Sequence, residues 1–552
     1  MDTHEPRSAD TIFAQMHREL RAFNPEVPES SERMDPILRI LLQMYANQLA
    51  NIDRKVGSTW EVAKASLIRS LAPECRRWPV PAFTVMKCQP SDPAVEVDPH
   101  TRFFHKEKRE GGQTFFFSPL RTEKLLKALV KHVYLKSGDK LVKLSSDSPS
   151  QAASAQPDTT NGGNDQLFIA IEYDGPSAHL SKAVAFLNGD PAALKQIRWG
   201  RWYPGTHFGS FYEDSSFCPG LGCTLEELYQ TNGNALDWGG LRSTADLFQP
   251  LADSFAVLPE EFSTTWDAGP PSETLASLIA KYGIEPPTED NLWWIRIDLP
   301  PGGDRAKLLE PLGIHFDCFV VVNKTEQTSF KHTGGSRLVE LELPESISTI
   351  FEVTSVIDSN NREYVPTHEV LSDRELGHYS LEERSDRLAL WFDFTTQIDN
   401  PPDAIKVAYT ITAGVEANGI SAGSITELYE NHPGIDEALN IISVSGAIPA
   451  KTEEQVISEA SSRLRSRDRA LTFDEIAKWT KSFDPRIQNV TCHNGVQRFE
   501  RGVRRCIVVT VAANKDDFHS DEETGLLEHR LASFLKARTP VNTQFAVEID
   551  LR

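Results

Sequence analysis

The segment from Asp35 to Val56 constrains the fold most, because its apolar residues occupy two faces of one helix. Asp35-Pro36 is typical of a helix start, since aspartate accepts hydrogen bonds from free amides and proline suits the first helical position. One apolar stripe follows a heptad spacing and consists of Leu38, Leu42, Tyr45, Leu49, Ile52 and Val56. A second stripe beside it consists of Ile37, Ile40, Leu41 and Met44.

A helix that is apolar on two faces requires two packing partners. The pattern leaves open whether this chain's own core or helices of other subunits supply them. An earlier helix is predicted from Ile12, Met16, Leu20 and Phe23, which repeat at helical spacing before Asn24-Pro25 ends the pattern. We therefore expect residues 1–78 to form a helical segment that packs in a bundle.

From about Pro79 to Ala450 the chain consists of short β-branched or alternating segments separated by turn-forming residues, which predicts strands. The clearest predicted strands are Phe83 to Met86, Phe115 to Phe117, Leu167 to Ile171, Trp293 to Leu299, Phe319 to Val322, Leu338 to Leu343 and Leu388 to Phe394. We expect two β-rich domains, 79–300 and 301–450. Residues 145–165 are polar and small, so we predict a disordered loop there.

Residues 451–552 are predicted to form a small α/β domain. Two helices each begin with a capping-box pattern, Thr452 with Gln455 and Thr472 with Glu475. Asn494-Gly495 predicts a hairpin turn between a short strand near Val490 and a longer strand at 506–511.

A third helix and a closing strand complete this domain. The helix presents Leu527, Leu531, Phe534 and Leu535 on one face, and the strand presents Thr543, Phe545, Val547, Ile549 and Leu551 on one face. The order α-β-β-α-β predicts helices packed on a small antiparallel or mixed sheet. The expected fold class is therefore multidomain α+β, with a helical N-terminus, a β-rich middle and a C-terminal α/β domain.

Charge and composition exclude some function classes. The chain has 57 basic and 79 acidic residues, a net charge of −22, which disfavours nucleic acid as a partner. No apolar stretch approaches the length of a membrane span, and the N-terminal residues MDTHEPRSAD lack the basic-then-apolar pattern of a secretory signal, so we expect a cytoplasmic protein. One basic cluster, Arg463, Arg465, Arg467 and Arg469, is either a solvated helix end or a docking site for an acidic neighbour.

Motifs for catalysis and cofactor binding are lacking: the sequence has no phosphate-binding loop, no dinucleotide fingerprint, no nucleophile elbow and no zinc-protease motif. We expect no enzyme activity, no cofactor and no metal. The weaker candidates are Cys218 and Cys223 as a metal chelate, His207 with Ser210 as a hydrolytic pair, and His100 with His105 as joint ligands. The two members of the last pair flank a predicted strand and are expected to face opposite sides.

Two separated signatures resemble those of the TssF family. The first comprises Asp35-Pro36-Ile37-Leu38-Arg39, Tyr45-Ala46, Ile52, Lys55, Leu67, Leu71, Pro73, Pro79 and Pro81. The second comprises Cys318, Val322 and Asn323 in DCFVVVN, with Phe351 to Pro366. The sequence departs from the family pattern at Val320, where the family prefers proline, and at Lys324-Thr325.

The start of the last hundred residues resembles phage baseplate J proteins instead. Arg467-Asp468-Arg469-Ala470-Leu471-Thr472, followed by Asp474, is similar to a motif of that family, with Glu475 in place of its tyrosine.

These resemblances imply a structural baseplate wedge component of a contractile injection system of the type VI secretion kind. They imply a TssG-like wedge partner, a second copy of this chain, other baseplate subunits and a ring around the central spike. Localisation would be cytoplasmic, with docking at the inner membrane only through partners. The first stripe on the second helix would then be the partner interface.

A different class of function is also compatible with the residues. Ten tryptophans, many short strands and abundant carboxylates suit a β-rich carbohydrate-binding or carbohydrate-active protein. Such a protein should show an open cleft with exposed aromatic side chains and two carboxylates about 5 to 9.5 Å apart. A wedge subunit should instead show an exposed apolar helical face.

Overall fold

The structure is a computed structural model of the 552-residue chain. It describes residues 8–72, 75–107, 112–138, 140–144, 165–198, 200–205, 251, 254–258, 267–289, 291–300, 308, 312–367, 377–384, 386–395, 401–467, 469–499, 502–540 and 543–552. The chain divides into two compact units. Unit 1 comprises Met1–Cys75 and Val456–Asp468, and unit 2 comprises Arg76–Gln455 and Arg469–Arg552.

The α-helices of the described residues lie mostly near the two ends of the chain. They are α1 (Ala9–Phe23), α2 (Pro36–Leu71), α3 (Pro191–Arg198), α4 (Glu273–Lys281), α5 (Glu453–Ser466), α6 (Phe473–Phe483) and α7 (Asp521–Arg538). The predicted end of α1 is confirmed, with Asn24 as its C-cap. Helix α2 continues past Val56 to Leu71, within the helical segment predicted for residues 1–78, and no proline interrupts it before Pro73.

The first fourteen strands of the described residues belong to unit 2. They are β1 (Phe83–Pro90), β2 (Ala94–Val97), β3 (Phe103–Lys106), β4 (Thr114–Ser118), β5 (Glu123–Leu126), β6 (Leu129–Ser137), β7 (Lys140–Leu144), β8 (Gln166–Glu172), β9 (Val184–Asn188), β10 (Arg201–Pro204), β11 (Phe255–Val257), β12 (Leu292–Asp298), β13 (Gly313–His315) and β14 (Cys318–Asn323).

Twelve further strands follow in the part of the chain that the structure describes. They are β15 (Thr325–His332), β16 (Leu338–Glu342), β17 (Ile350–Asp358), β18 (Tyr364–Pro366), β19 (Gly377–Glu383), β20 (Leu388–Asp393), β21 (Ala404–Ile411), β22 (Glu427–Leu428), β23 (Ile435–Asn440), β24 (Ile487–Phe499), β25 (Gly502–Ala513) and β26 (Phe545–Leu551). All seven strands predicted in the middle of the chain are confirmed to within a few residues, since each corresponds to an apolar or alternating segment. The predicted loop at 145–165 lies outside the described residues, except for Asp165.

The strands form several separate sheets rather than one. The largest has the order β22-β3-β4-β14-β1-β23, and the next has the order β10-β12-β8-β6-β7. Smaller sheets are β11-β9-β13, β15-β21-β17, β16-β20-β19-β18, β2-β5 and β24-β25-β26. The central strand β8 is buried along nearly its whole length, as its continuous apolar sequence predicts.

The C-terminal elements confirm most of the predicted α/β arrangement. Both capping boxes are present: Thr452 exchanges hydrogen bonds with Gln455, and Thr472 does so with Glu475. The predicted face of α7 is buried, and β26 pairs in parallel with β25, which pairs antiparallel with β24. Together with α6, these elements share one hydrophobic core with β1 and β14.

The predicted turn at Asn494-Gly495 was wrong. Strand β24 continues through both residues to Phe499, and Gly495 pairs with Cys506. A Cβ atom on Gly495 would lie 2.3 Å from Cγ2 of Val508, so this glycine allows a close approach within the sheet. The fold class predicted from the sequence, multidomain α+β with a helical N-terminus, β-rich middle and C-terminal α/β region, is confirmed. The expected domain boundaries stay predictions.

Candidate partner interface

Helix α2 begins with the geometry that Asp35-Pro36 predicts. The Asp35 carboxylate accepts hydrogen bonds from the backbone amides of Ile37 and Leu38, at 2.8 and 3.2 Å. The carbonyl of Asp35 accepts the first intrahelical bond, from the amide of Arg39 at 2.9 Å. This cap satisfies amides that would otherwise lack partners, and it defines where the two apolar stripes begin.

Helix α1 packs on a face of α2 that the sequence analysis did not single out. Ile12 of α1 and two alanines of α2, Ala46 and Ala50, are buried together. Phe13 and Met16 pack against this cluster from α1. Alanines allow two helices to approach closely, so α1 covers a narrow face of α2 formed by small residues.

The predicted first stripe lies outside this contact. Leu38, Tyr45, Leu49 and Ile52 are exposed, with 36% to 58% of each residue accessible, and Leu42 is half-buried. The side chain of Val56 lies outside the described part of the chain. The structure therefore places the stripe on one continuous side of α2, but not against α1.

The second stripe is exposed as well. Ile37, Ile40, Leu41 and Met44 are 46% to 71% accessible. Successive residues of a helix differ by about 100° around its axis. This spacing places the centre of the first stripe roughly 100° from the alanine face and the centre of the second stripe roughly 150° from it. The described residues of the chain leave both stripes uncovered.

This surface, which we call the α2 face, is almost free of charge. From Pro36 to Ile52, Arg39 is the single ionisable residue with a formal charge, and the polar positions are asparagine or glutamine. An interface on this face would remove few charges from water, so its desolvation cost is low. Its chemistry suits helix packing rather than catalysis or ion binding.

The far end of α2 has a second small cluster within unit 1. Ala72 and Cys75 are buried with Val456 and Ala460 of α5. In the last turn of α5, Nε of Arg463 lies 3.9 Å from the Glu459 carboxylate.

The remaining arginines of the basic cluster, Arg465, Arg467 and Arg469, are exposed. Arg467 has a positive φ of 51°, which ends the helix. Both interpretations of this cluster, as a solvated helix end or as an acidic docking site, stay open.

The weaker sequence candidates do not form a catalytic site among the described residues. Cys218, Cys223, His207 and Ser210 all lie outside them. His100 lies in a turn before β3 with Nδ1 2.9 Å from the Glu326 carboxylate. His105 lies on β3 with Nδ1 3.1 Å from the carbonyl of Ser424, so the two histidines have different partners.

The described tryptophans do not line an open cleft. Five of them are buried, namely Trp78, Trp202, Trp293, Trp294 and Trp479, and Trp391 is half-buried. The described tryptophans therefore do not supply the exposed aromatic side chains that the carbohydrate hypothesis requires.

Residues of the second TssF-like signature have structural contacts. The Asn323 side chain is buried, donates to the carbonyl of Phe116 at 2.9 Å and accepts from Thr412 Oγ1 at 2.8 Å and from the amide of Ala413 at 2.7 Å. It joins β14 to two other segments of unit 2. Tyr364 is also buried and donates to Asp358 at 2.9 Å.

A cluster that sequence analysis missed lies between β13 and β14. Ligand atoms of His315, Asp317 and Cys318 lie within 4.8 Å of one another. The signal for this cluster in the sequence was that the three residues are almost adjacent. Residues at strand ends rarely bring their side chains together unless the chain bends, as it does before β14.

Lys87 neutralises this cluster. Its Nζ lies 3.5 Å from His315 Nδ1 and 4.0 Å from the Asp317 carboxylate. Burial raises the pKa of Asp317 and of the Cys318 thiol, and burial together with Lys87 lowers the pKa of His315. To bind at this cluster, a metal ion would have to displace the ammonium group of Lys87 and the thiol proton of Cys318. The arrangement therefore favours an ion pair between Lys87 and Asp317.

A second buried pair lies at the start of β15 and in β17. Burial lowers the pKa of Lys324, and burial raises the pKa of Glu352 to about 7, with Lys324 opposing the shift. Lys324 Nζ lies 3.6 Å from the Glu326 carboxylate. Burial inside the β-rich region therefore disfavours the charged forms of both Lys324 and Glu352.

No helix of the described residues is both long and apolar enough to cross a membrane. Cys88, Cys318, Cys492 and Cys506 are free thiols.

Comparisons with known proteins give similarity in structure only. No family model matches the sequence, and no curated protein matches it. A chain of the type VI secretion system TssK-TssF-TssG baseplate subcomplex is 13% identical with a TM-score of 0.43, covering 93% of this chain and 96% of that chain.

Two further solved structures are similar at lower TM-scores. A chain of a type VI secretion system baseplate complex is 12% identical with a TM-score of 0.33, covering 99% of this chain and 96% of that chain. A chain of the anti-feeding prophage baseplate is 8% identical with a TM-score of 0.28, covering 100% of this chain and 80% of that chain. At these identities and TM-scores, the matches assign neither a family nor a function to this chain.

Proposed function

We propose that this chain is a structural wedge subunit of a contractile injection baseplate, TssF-like in role and not an enzyme. Its α2 face binds helices of a TssG-like partner. The observation that carries the proposal is the α2 face itself: nine exposed or half-buried apolar residues of the two stripes lie on a helix segment with a single charge. The class of machine comes from the resemblance between Asp35 and Pro366.

The energetics of this face favour a permanent contact. Full burial of one leucine, isoleucine or methionine side chain stabilises an interface by roughly 1.5 to 3 kcal/mol. Several such side chains outweigh the cost of ordering one partner helix, even though part of the gain offsets lost rigid-body freedom. Leaving the face in water would instead create an apolar patch of the kind that marks an interaction site.

Co-expression with the neighbouring genes of its operon tests the proposal. The full chain is captured by an affinity tag, and the mass of the purified complex is measured. We expect a complex of defined stoichiometry with a TssG-like subunit. Tyr45→Glu/Leu49→Glu should abolish this complex, because two buried charges would lack partners at the interface.

A matched control places the same two charges on the same helix. Gln43→Glu/Asn47→Glu changes exposed polar residues at the same spacing, and it should leave the complex intact. Retention of the complex by Tyr45→Glu/Leu49→Glu, or its absence in the unaltered chain, would contradict the proposed role of α2.

A further inference from the structure

A cavity of about 310 Å³, which we call the β3–β4 cavity, lies beside the largest sheet within unit 2. Three residues that line it come from neighbouring strands: Arg102 just before β3, Ser118 at the end of β4 and Lys324 just after β14. Residues two apart on a strand share a face of the sheet, and so do directly paired residues. The pairing of Val322 with Ser118 therefore places Lys324 on the face of Ser118, and the pairing of β3 with β4 places Arg102 there as well.

The two most buried donors of this cavity lack good acceptors. Lys324 is 7% accessible and Ser118 is 3% accessible. In the described part of the chain, the ammonium group of Lys324 has one carboxylate within 4 Å, that of Glu326, and the separation of 3.6 Å is long for a hydrogen bond. The Ser118 hydroxyl has no hydrogen-bond partner among the described residues. Buried donors without acceptors cost free energy, so a ligand with acceptor oxygens would satisfy them.

The guanidinium group of Arg102 is held in position at the same cavity. Its Cζ atom lies 4.3 Å from the ring centroid of Tyr429 and 5.8 Å from that of Phe116. One of its nitrogens donates to the Glu430 carboxylate at 2.5 Å. The Glu430 side chain is 76% accessible, so water can solvate it when another anion takes its place. A guanidinium group has five N–H donors in a planar fork, and this fork fits a carboxylate through two parallel hydrogen bonds.

The other charges at the cavity favour a small anion with a single charge. The Glu326 carboxylate pairs with His100, whose Nδ1 lies 2.9 Å from it. The carboxyl group of Glu352, which also acts on Lys324, has a pKa raised to about 7 by burial and is only partly charged at neutral pH. Glu326 and Glu430 still repel a doubly charged phosphate more strongly than a singly charged carboxylate. The cavity volume is at the lower end of the roughly 300 to 1,000 Å³ that is typical of small-molecule sites.

We infer that the β3–β4 cavity binds the carboxylate group of a small organic acid. Arg102 and Lys324 supply the charged donors, and Ser118 supplies a neutral donor. The ligand replaces Glu430 as the anion that faces Arg102, and it gives the ammonium group of Lys324 an acceptor at hydrogen-bond distance. The site lies in unit 2 alone, so the inference does not depend on the proposed function or on the α2 face.

Saturation-transfer difference NMR of the purified full chain tests this inference. The probes are acetate, propionate and benzoate at neutral pH and constant ionic strength, with choline as a cationic control. We expect saturable binding of at least one acid and no binding of choline. Arg102→Gln and Lys324→Gln should each weaken that binding about tenfold, because each removes a charge-assisted hydrogen bond. Glu430→Gln should strengthen it about threefold, because Arg102 then loses the competing carboxylate.

Two controls distinguish this site from a general effect of charge. Lys131→Gln removes another lysine that pairs with a glutamate, since its Nζ lies 2.8 Å from Glu172 outside the cavity, and it should leave binding unchanged. Inorganic phosphate should displace the bound acid less effectively than a second carboxylate does. Circular dichroism confirms that each variant is folded, and the accessible side chain of Glu430 allows a substitution that leaves the core intact.

The absence of saturable binding by all three acids would overturn the inference. So would unchanged binding in both Arg102→Gln and Lys324→Gln, weaker binding in Glu430→Gln, or an equal loss in Lys131→Gln. Displacement of the acid by phosphate at lower concentrations than by carboxylates would overturn the assignment of the ligand class. Capture of the TssG-like partner is measured separately and does not depend on any of these outcomes.

Discussion

The carboxyl group of Glu352 is held where its charged form is unfavourable. Burial raises its pKa from 4.5 to about 7, even though Lys324 acts in the opposite direction. The folded state therefore holds this proton more tightly than the unfolded chain. Its contribution to stability is fully present below pH 4.5 and is lost as the pH rises through about 7.

Replacing the carboxyl group of Glu352 with an amide removes the free-energy cost of ionising a buried group. Glu352→Gln should raise the free energy of unfolding by about 1 to 3 kcal/mol at pH 8, with little change at pH 4. Urea denaturation at the two pH values measures the effect. Glu326→Gln, which removes the exposed partner of Lys324, is the control and should not stabilise the protein at pH 8. Equal effects of Glu352→Gln at both pH values would disprove the linkage.

Arg486 occupies the centre of a buried network in the C-terminal region. It donates to Asp484 at 2.8 Å and to Glu523, and both carboxylates are buried. Glu523 also accepts from Asn418 Nδ2 at 2.7 Å and from the amide of His519 at 3.0 Å. The network places one guanidinium group between two buried carboxylates and links α7 to the segment after β21.

Removing the Glu523 carboxylate from this network leaves part of the buried guanidinium group of Arg486 without a charged partner. Glu523→Ala should lower the free energy of unfolding by about 3 kcal/mol, because broken buried pairs typically cost this much. Thermal or urea denaturation at neutral pH measures the loss. Asp516→Asn, at an exposed position just before α7, should change stability by no more than about 0.5 kcal/mol. A similar small effect of Glu523→Ala would show that the pair is not stabilising.

At the scale of elements, β24 depends on a glycine inside the strand. The Cβ atom of any other residue at position 495 would meet the side chain of Val508, which is 9% accessible and cannot move freely. Gly495→Ala should therefore destabilise the protein by about 1 to 3 kcal/mol, the usual cost of overpacking. Gly269→Ala, where a Cβ meets nothing within 4 Å, should be nearly neutral. Urea denaturation of both variants compares them, and a neutral Gly495→Ala would argue against the described register.

At the scale of the whole molecule, the proposed partner interface differs in charge from the rest of the chain. The α2 face contains one charged residue in a chain of net charge −22. Salt screens exposed charges and has little effect on apolar burial. Raising the salt from about 0.05 to 0.5 M should therefore change the dissociation constant of the TssG-like complex by less than about threefold.

Sedimentation velocity at the two salt concentrations measures this equilibrium. A TssG-like complex that dissociates in salt would mean that α2 is not the main contact.

Local signals in the sequence predicted the parts of this protein that depend on neighbouring residues. The start of α2 at Asp35-Pro36, both capping boxes and the buried face of α7 follow from hydrogen bonds or periodicity within a few residues. The apolar stripes on α2 were likewise visible in the sequence. Their spacing is a property of the helix alone, so it required no knowledge of the fold.

Long-range packing decided the features of the fold that local signals did not predict. The sequence could not show that α1 would choose the alanine face of α2 and leave both stripes exposed, because alanines carry little periodic signal. It also favoured a turn at Asn494-Gly495, since this pair has a strong local preference for hairpins. Pairing with β25 and the close approach of Val508 outweigh that preference. The sequence by itself determined the helices, strands and apolar faces, and only the tertiary structure decided which faces the chain covers, because burial depends on contacts between residues far apart in sequence.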